Sequence, residues 1–152
     1  MCTVAVSRAV LVPAPKAAAL AVLWNVENLA QFEPKVDTID VSCATRARGM
    51  FRGRGRVAGL PWSGEFRYQL TERGFHSEET GVHRSGLKVS GGFRVYARAA
   101  STSAVIHYEH YRLPLWAAPL KPVVRWYVRR SMSQELANLS RLIASGAAVQ
   151  AA

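Results

Sequence analysis

Apolar and polar residues recur along this chain with two different periods, and the change of period marks its parts. From Val4 to Val12, valines alternate with small residues, which predicts a strand. Pro13 and Pro15 end it, and Pro15 suits the first turn of a helix. Lys16 to Val26 is dominated by Ala and Leu, strong helix formers. Leu20, Leu23 and Trp24 share one helical face there. Glu27 to Glu33 predicts a second short helix, with Asn25 as N-cap and Pro34 as its stop. Strict alternation then takes over, and strands are predicted at Val36–Ala44, Gly49–Gly59, Trp62–Thr71, Phe75–His83, Phe93–Ala99 and Ala104–Leu113. The clearest is Trp62–Thr71, where Trp62, Gly64, Phe66, Tyr68 and Leu70 take one face and Ser63, Glu65, Arg67 and Gln69 the other. Short turns between regularly spaced strands imply an antiparallel meander.

The last third returns to a helical period. Val124, Val128, Met132, Leu136, Leu139, Leu142 and Ile143 form one apolar stripe, and Gly146 follows in a C-cap position. About 24 helical residues would reach roughly 36 Å, enough to cross a small domain. The order strand, two short helices, six strands, long helix defines an α+β class. A curved antiparallel sheet of six to seven strands needs an apolar cover, and the C-terminal helix is the element large enough to supply it. Such a helix-grip arrangement leaves a gap at its wide end where a ligand can sit. No repeat or linker interrupts the chain, so residues 1–146 read as one domain and 147–152 as a frayed tail.

Composition changes this picture little. With 152 residues and 49% hydrophobic residues the chain can bury a core, although many of those residues are alanine. The two cysteines, Cys2 and Cys43, form no metal-ligand spacing and read as free thiols. No signal peptide or membrane-spanning run is visible, which implies a cytoplasmic protein. The net charge of +10 changes more. Arg52, Arg54 and Arg56 line one strand face, and Arg125, Arg129 and Arg130 add charge on the long helix. Phosphate binding needs such charge, but base stacking needs exposed aromatics among the arginines, and Phe51 falls on the opposite face. A solvated face is the plainer reading of these arginines. An anionic membrane surface suits the charge better than nucleic acid does.

Several segments resemble the START-like, or SRPBCC, superfamily. They are Val10–Pro15 (VLVPAP), Leu20–Pro34 (LAVLWNVENLAQFEP) with Asn25, Phe32 and Pro34 in its pattern, and Val105–Pro114 (VIHYEHYRLP) before the closing helix. The superfamily includes coenzyme Q-binding proteins, polyketide cyclase/dehydrase proteins and plant pathogenesis-related allergens. The resemblance spans nearly the whole chain. It implies a helix-grip fold with a cavity for a lipid, quinone or polyketide, and it supplies no catalytic motif to carry across. Asn25 and Leu20 depart from the acidic and aromatic residues many relatives have there.

Hairpin arithmetic predicts what lines the interior. A two-residue turn at Arg73-Gly74 puts Phe66, Tyr68, Leu70 and Glu79 on the inner face, with Tyr68 opposite Glu79. A turn at Ser101-Thr102 puts Val95 opposite Tyr108 and Phe93 opposite His110, adding Phe93, Val95, Ile106, Tyr108 and His110. An odd slip in either loop would flip the strand. From the helix, Val124 and Val128 face the same space. Trp24, Phe32 and Trp126 are either core or a lid over its mouth. Tyr68, Tyr108, Glu79 and His110 would fix a ligand's polar end or pack with their polar atoms satisfied. Glu79 or His110 is the candidate general acid or base if the protein is a cyclase/dehydrase-type enzyme. His107 and Glu109 share the outer face in this register, and no metal site or cofactor motif follows from them. A carrier, an enzyme and a basic docking protein all remain open.

Overall fold

The computed structural model of the chain describes residues 1–81 and 86–146. It contains β1 (Cys2–Val12), α1 (Lys16–Trp24), a 3-10 turn (Val26–Asn28), α2 (Leu29–Phe32), β2 (Val36–Ser42), β3 (Arg48–Val57), β4 (Leu60–Thr71), β5 (Gly74–Glu79), β6 (Lys88–Ala99), β7 (Thr102–Leu113), a second 3-10 segment (Leu115–Leu120) and α3 (Lys121–Ala144). Of the strand expected over Phe75–His83, Val82 and His83 lie outside the described residues, as does the expected tail 147–152. Cys2 begins β1 and pairs with Leu113.

All seven strands join one antiparallel sheet in the order β1-β7-β6-β5-β4-β3-β2. This is the expected helix-grip architecture. The 24 residues of α3 begin with Pro122 in the first turn and end before Gly146, whose φ of 70° closes the helix. Asn25 caps nothing with its side chain, and the second predicted helix divides into the 3-10 turn and the four residues of α2. Pro34 still stops it.

α3 packs chiefly along β1, with lesser contact to β7, α1 and α2, while α1 lies on β5, β6 and β7. The cover of the inner face is therefore shared, where the apolar stripe alone assigned it to α3. Two apolar clusters result. The larger includes Leu20, Phe32, Phe93, Val95, Leu136 and Leu139; the smaller joins Val4, Val6, Leu113, Ala117, Val128 and Met132. Asn138 donates from Nδ2 to the Phe32 carbonyl at 3.1 Å and ties α3 to the end of α2.

The two predicted hairpins err by different amounts, and the parity of the error decides the outcome. Between β4 and β5, Tyr68 faces Ser77 and Phe66 faces Glu79. That is two residues from expectation, so the same side chains still point inward. Between β6 and β7, Val95 faces Val105 rather than Tyr108, and a bulge lies between Ala97 and Ala99. That odd slip turns β7 over. Ile106, Tyr108 and His110 lie on the outer face, and Val105, His107, Glu109 and Tyr111 point inward.

Candidate site at the seam between the two cores

The inner face of β7 reads Val105, His107, Glu109, Tyr111, Leu113. Val105 belongs to the larger apolar cluster and Leu113 to the smaller. On α3, Met132 and Leu136 divide in the same way, with Glu135 between them. The seam between the two cores is thus ionisable from both sides.

Lys35 completes it from the turn before β2. Its Nζ lies 3.1 Å from Glu109 Oε1, 3.1 Å from Glu135 Oε1 and 3.4 Å from Glu33 Oε1. Tyr111 donates its hydroxyl to Glu109 Oε2 at 2.8 Å, and Ser131 donates to Glu135 Oε1 at 2.7 Å, one turn away on α3. His107 Nδ1 approaches Glu135 Oε2 to 3.1 Å, but neither atom has a hydrogen-bond partner, so this contact acts as charge attraction. The His107 ring also stacks on Phe93 with 4.1 Å between centroids. Lys35, His107, Glu109 and Glu135 are all buried, and charges withdrawn from water persist only when compensated this closely.

The backbone of Lys35 is pinned as firmly as its ammonium. Its carbonyl accepts the Trp62 indole N–H at 2.8 Å and the Arg56 amide at 3.1 Å. Residue 55 must be glycine for this approach, because a Cβ there would lie 1.9 Å from the same carbonyl oxygen.

Burial and mutual attraction pull the titrations of the seam apart. Burial, then the nearby Glu135 charge, raises Glu33 to about 7. Burial would lower Lys35, but Glu109 and the other anionic neighbours outweigh it and leave its pKa well above the ordinary value. The same contest, with Glu135 and Glu109 as the anions, raises His107. For Glu135, burial is overcome by Lys35 and His107, and its pKa falls to about 2. Burial and Glu109 push Tyr111 well up. The seam therefore sets Glu33, which changes charge near neutrality at its edge, and a raised His107 beside a lysine held charged and a Glu135 held ionised.

One ligand atom each from His107, Glu109 and Glu135 fall within 4.8 Å of one another. The ammonium of Lys35 already lies against both carboxylates, so a cation bound there would compete with it, and we assign no metal. The outward placement expected for His107 and Glu109 is nevertheless overturned. The signal was the flank: the pair sits in phase with Val105 and Leu113, but Ile106 and Tyr108 offered an equally apolar opposite phase.

Beside the seam, the inner face of β4 forms an aromatic wall. Trp62, Phe66 and Leu70 are half-buried, and Phe66 stacks on Phe51 at 5.0 Å and meets Trp62 edge-on at 6.2 Å. Glu79 is buried opposite Phe66 and accepts the Val89 amide at 3.1 Å. Phe66 and Glu79 are the expected site residues that this wall brings together. Tyr68, Phe93, Val95, Phe32 and Val128 are packed into the cores, and Val124 packs partly against the smaller one. Trp24 is 42% exposed and donates to the Thr71 carbonyl at the rim. Trp126 faces solvent on α3 and cannot close over the interior.

Tyr108 and His110 belong to the outer face. There the Tyr108 hydroxyl lies 3.0 Å from His76 Nδ1, and Arg94 sits 4.9 Å over the Tyr108 ring. Arg52, Arg54 and Arg56 are exposed on the outside of β3, where Arg52 pairs with Glu65 on β4.

A family model described as "Polyketide cyclase / dehydrase and lipid transport" matches residues 3–144. No curated protein sequence matches the chain. Among solved structures, Zhui aromatase/cyclase from Streptomyces sp. R1128 superposes with a TM-score of 0.79 at 16% identity, covering 93% of each chain. A START superfamily protein from Mycobacterium smegmatis gives 0.73 at 13% identity, covering 93% of this chain and 97% of its own. Norcoclaurine synthase from Thalictrum flavum gives 0.66 at 11%, covering 93% and 87%. At these identities the likeness is one of fold.

Proposed function

Because the chain belongs to the polyketide cyclase/dehydrase and lipid-transport family, we propose that it holds an apolar small molecule against the wall of β4. The molecule's polar end would rest at the Glu33–Lys35 edge of the seam. The observation that carries this reading is the half-burial of Trp62, Phe66 and Leu70 on the inner face of the sheet, continued on β2 by the partly buried Ile39 and Val41. A mostly apolar surface with a few convergent polar groups is the usual make-up of a small-molecule site. Trp62 links the two parts, since its ring is in the wall and its N–H is on the Lys35 carbonyl. The ligand class this fits is an aromatic or polyene body with one carbonyl or hydroxyl end, such as a polyketide, a quinone or a lipid.

Native mass spectrometry of protein purified from its own host, followed by solvent extraction, tests this directly. A co-purifying apolar molecule is expected, and Trp62→Ala with Phe66→Ala should release it. Ligand-free protein that also fails to bind a fluorescent fatty acid or a polyketide analogue would overturn the reading.

The pKa of Glu33, about 7, favours a second reading. A carboxyl group poised near neutrality can take and return a proton at the carbon beside a carbonyl, with Lys35 stabilising the developing enolate. Glu79 is the other carboxyl group on the wall. The protein would then be an enzyme of the cyclase/dehydrase type rather than a carrier. Turnover of a bound candidate that Glu33→Gln abolishes, with ligand affinity retained, would decide for catalysis. Unchanged turnover in both Glu33→Gln and Glu79→Gln would remove these residues from it.

A further inference from the structure

A second surface lies outside the interior, on the opposite side of α3. The first half of α3 and the segment before it expose Leu115, Trp116, Leu120, Val123 and Trp126. Trp116 is 72% exposed and Trp126 61%. Large apolar side chains this close in sequence and this open to water mark a contact surface.

The charge beside Trp126 has one sign. A groove of about 590 Å³ between β1 and α3 is lined by Arg8, Lys121, Arg125, Arg129 and Arg130, with Trp126 beside them. The Arg130 guanidinium lies 5.9 Å from the Trp126 ring. No acidic residue occurs in β1, and none occurs in the sequence between Glu109 and Glu135. Those two carboxylates are buried in the seam, and no carboxylate is among the described residues that line the groove. The contrast with β3 is sharp, since Arg52 there is met by Glu65.

We propose that this face of α3, with the 3-10 segment before it, docks on the surface of an anionic lipid bilayer. Indole rings favour the headgroup level of a membrane, and arginines beside them attract anionic headgroups. Leu115, Leu120 and Val123 give the surface aliphatic bulk that acyl chains take up and that a nucleic acid has no use for. Among the described residues no helix is long and apolar enough to cross a membrane, so the contact is peripheral. This surface is independent of what the interior holds.

Vesicle co-sedimentation tests it, using phosphatidylcholine vesicles with and without about one-third phosphatidylserine. Binding at least tenfold stronger to the anionic vesicles is expected, with a blue shift of tryptophan emission and weakening at high salt. Arg125→Gln with Arg129→Gln should reduce binding about thirtyfold, at about fivefold per cation removed. Trp116→Ala with Trp126→Ala should remove the emission shift. These side chains are exposed, and an unchanged circular dichroism spectrum would confirm that the variants fold. Absence of vesicle binding, equal binding to neutral and anionic vesicles, or anionic binding undiminished in both double variants would each overturn the proposal. So would tighter, sequence-selective binding to a single-stranded oligonucleotide competed by the vesicles.

Discussion

The two faces of β7 carry similar residues and put them to different uses. Inside, His107 and Glu109 are enclosed between two apolar cores and compensated by Lys35 and Glu135. Outside, Tyr108 and His110 lie within reach of water, with His76 and Arg94 as neighbours. A histidine two residues before a glutamate is thus part of a constrained ionic seam, while the histidine right after that glutamate is decoration on a sheet. What separates them is the parity of one turn.

Breaking the inner set should cost most. Glu135→Gln leaves Lys35 and His107 short of a buried counter-charge, and removing one partner of a buried pair typically costs about 3–5 kcal/mol. Urea denaturation would read this, and a loss below about 1 kcal/mol would mean that the seam is not held by charge. Gly55→Ala drives a methyl group into the Lys35 carbonyl, and overpacking of this kind costs about 1–3 kcal/mol. The same urea midpoints measure it.

The pH dependence of melting sharpens the contrast. Glu33 has a folded pKa raised to about 7, so its contribution is complete below the unfolded value and is lost as pH rises through 7. His107 is also raised and behaves in the same sense. Glu135 is lowered to about 2, so its contribution is present above the unfolded value and lost as pH falls toward 2. Thermal stability should peak in mildly acidic solution, and Glu33→Gln should flatten the alkaline limb. A profile that rises from pH 6 to 9 would contradict this assignment. At the bottom of the scale, His110→Ala should stay within about 0.5 kcal/mol of the parent and leave ligand binding unchanged.

How far the sequence reveals this arrangement depends on which kind of information each element needed. Alternation in β4 and the apolar stripe of α3 are local patterns, and both elements form where those patterns lie. Which way β7 faces is not local. Ala99, Ala100, Ser101 and Thr102 contain none of the glycine or asparagine that would fix a tight turn, and the bulge after Ala97 changes the count. The β4–β5 turn was misplaced too, yet by an even number, so Phe66 and Glu79 kept their face. Lys35 and Glu33 escaped notice because they flank a proline in a connection, where no periodicity applies. Glu135 was hidden in a stripe otherwise apolar. The seam joins residues from three distant segments, and its members become recognisable only when those segments meet.

The pairing of β1 with β7 has a consequence for how the chain comes together. Among the described residues β1 pairs with β7 alone, so on a ribosome it must wait until β7 has been made. The hairpins β2–β3, β3–β4 and β4–β5 close over short stretches and can form early, while the β1–β7 ladder pays for a loop of about a hundred residues. Charges at positions 33 to 35 likewise remain solvated until position 135 has emerged. Nascent chains halted before α3 should therefore hold a partial meander with a sticky, unpaired first strand, which is the species a chaperone would meet.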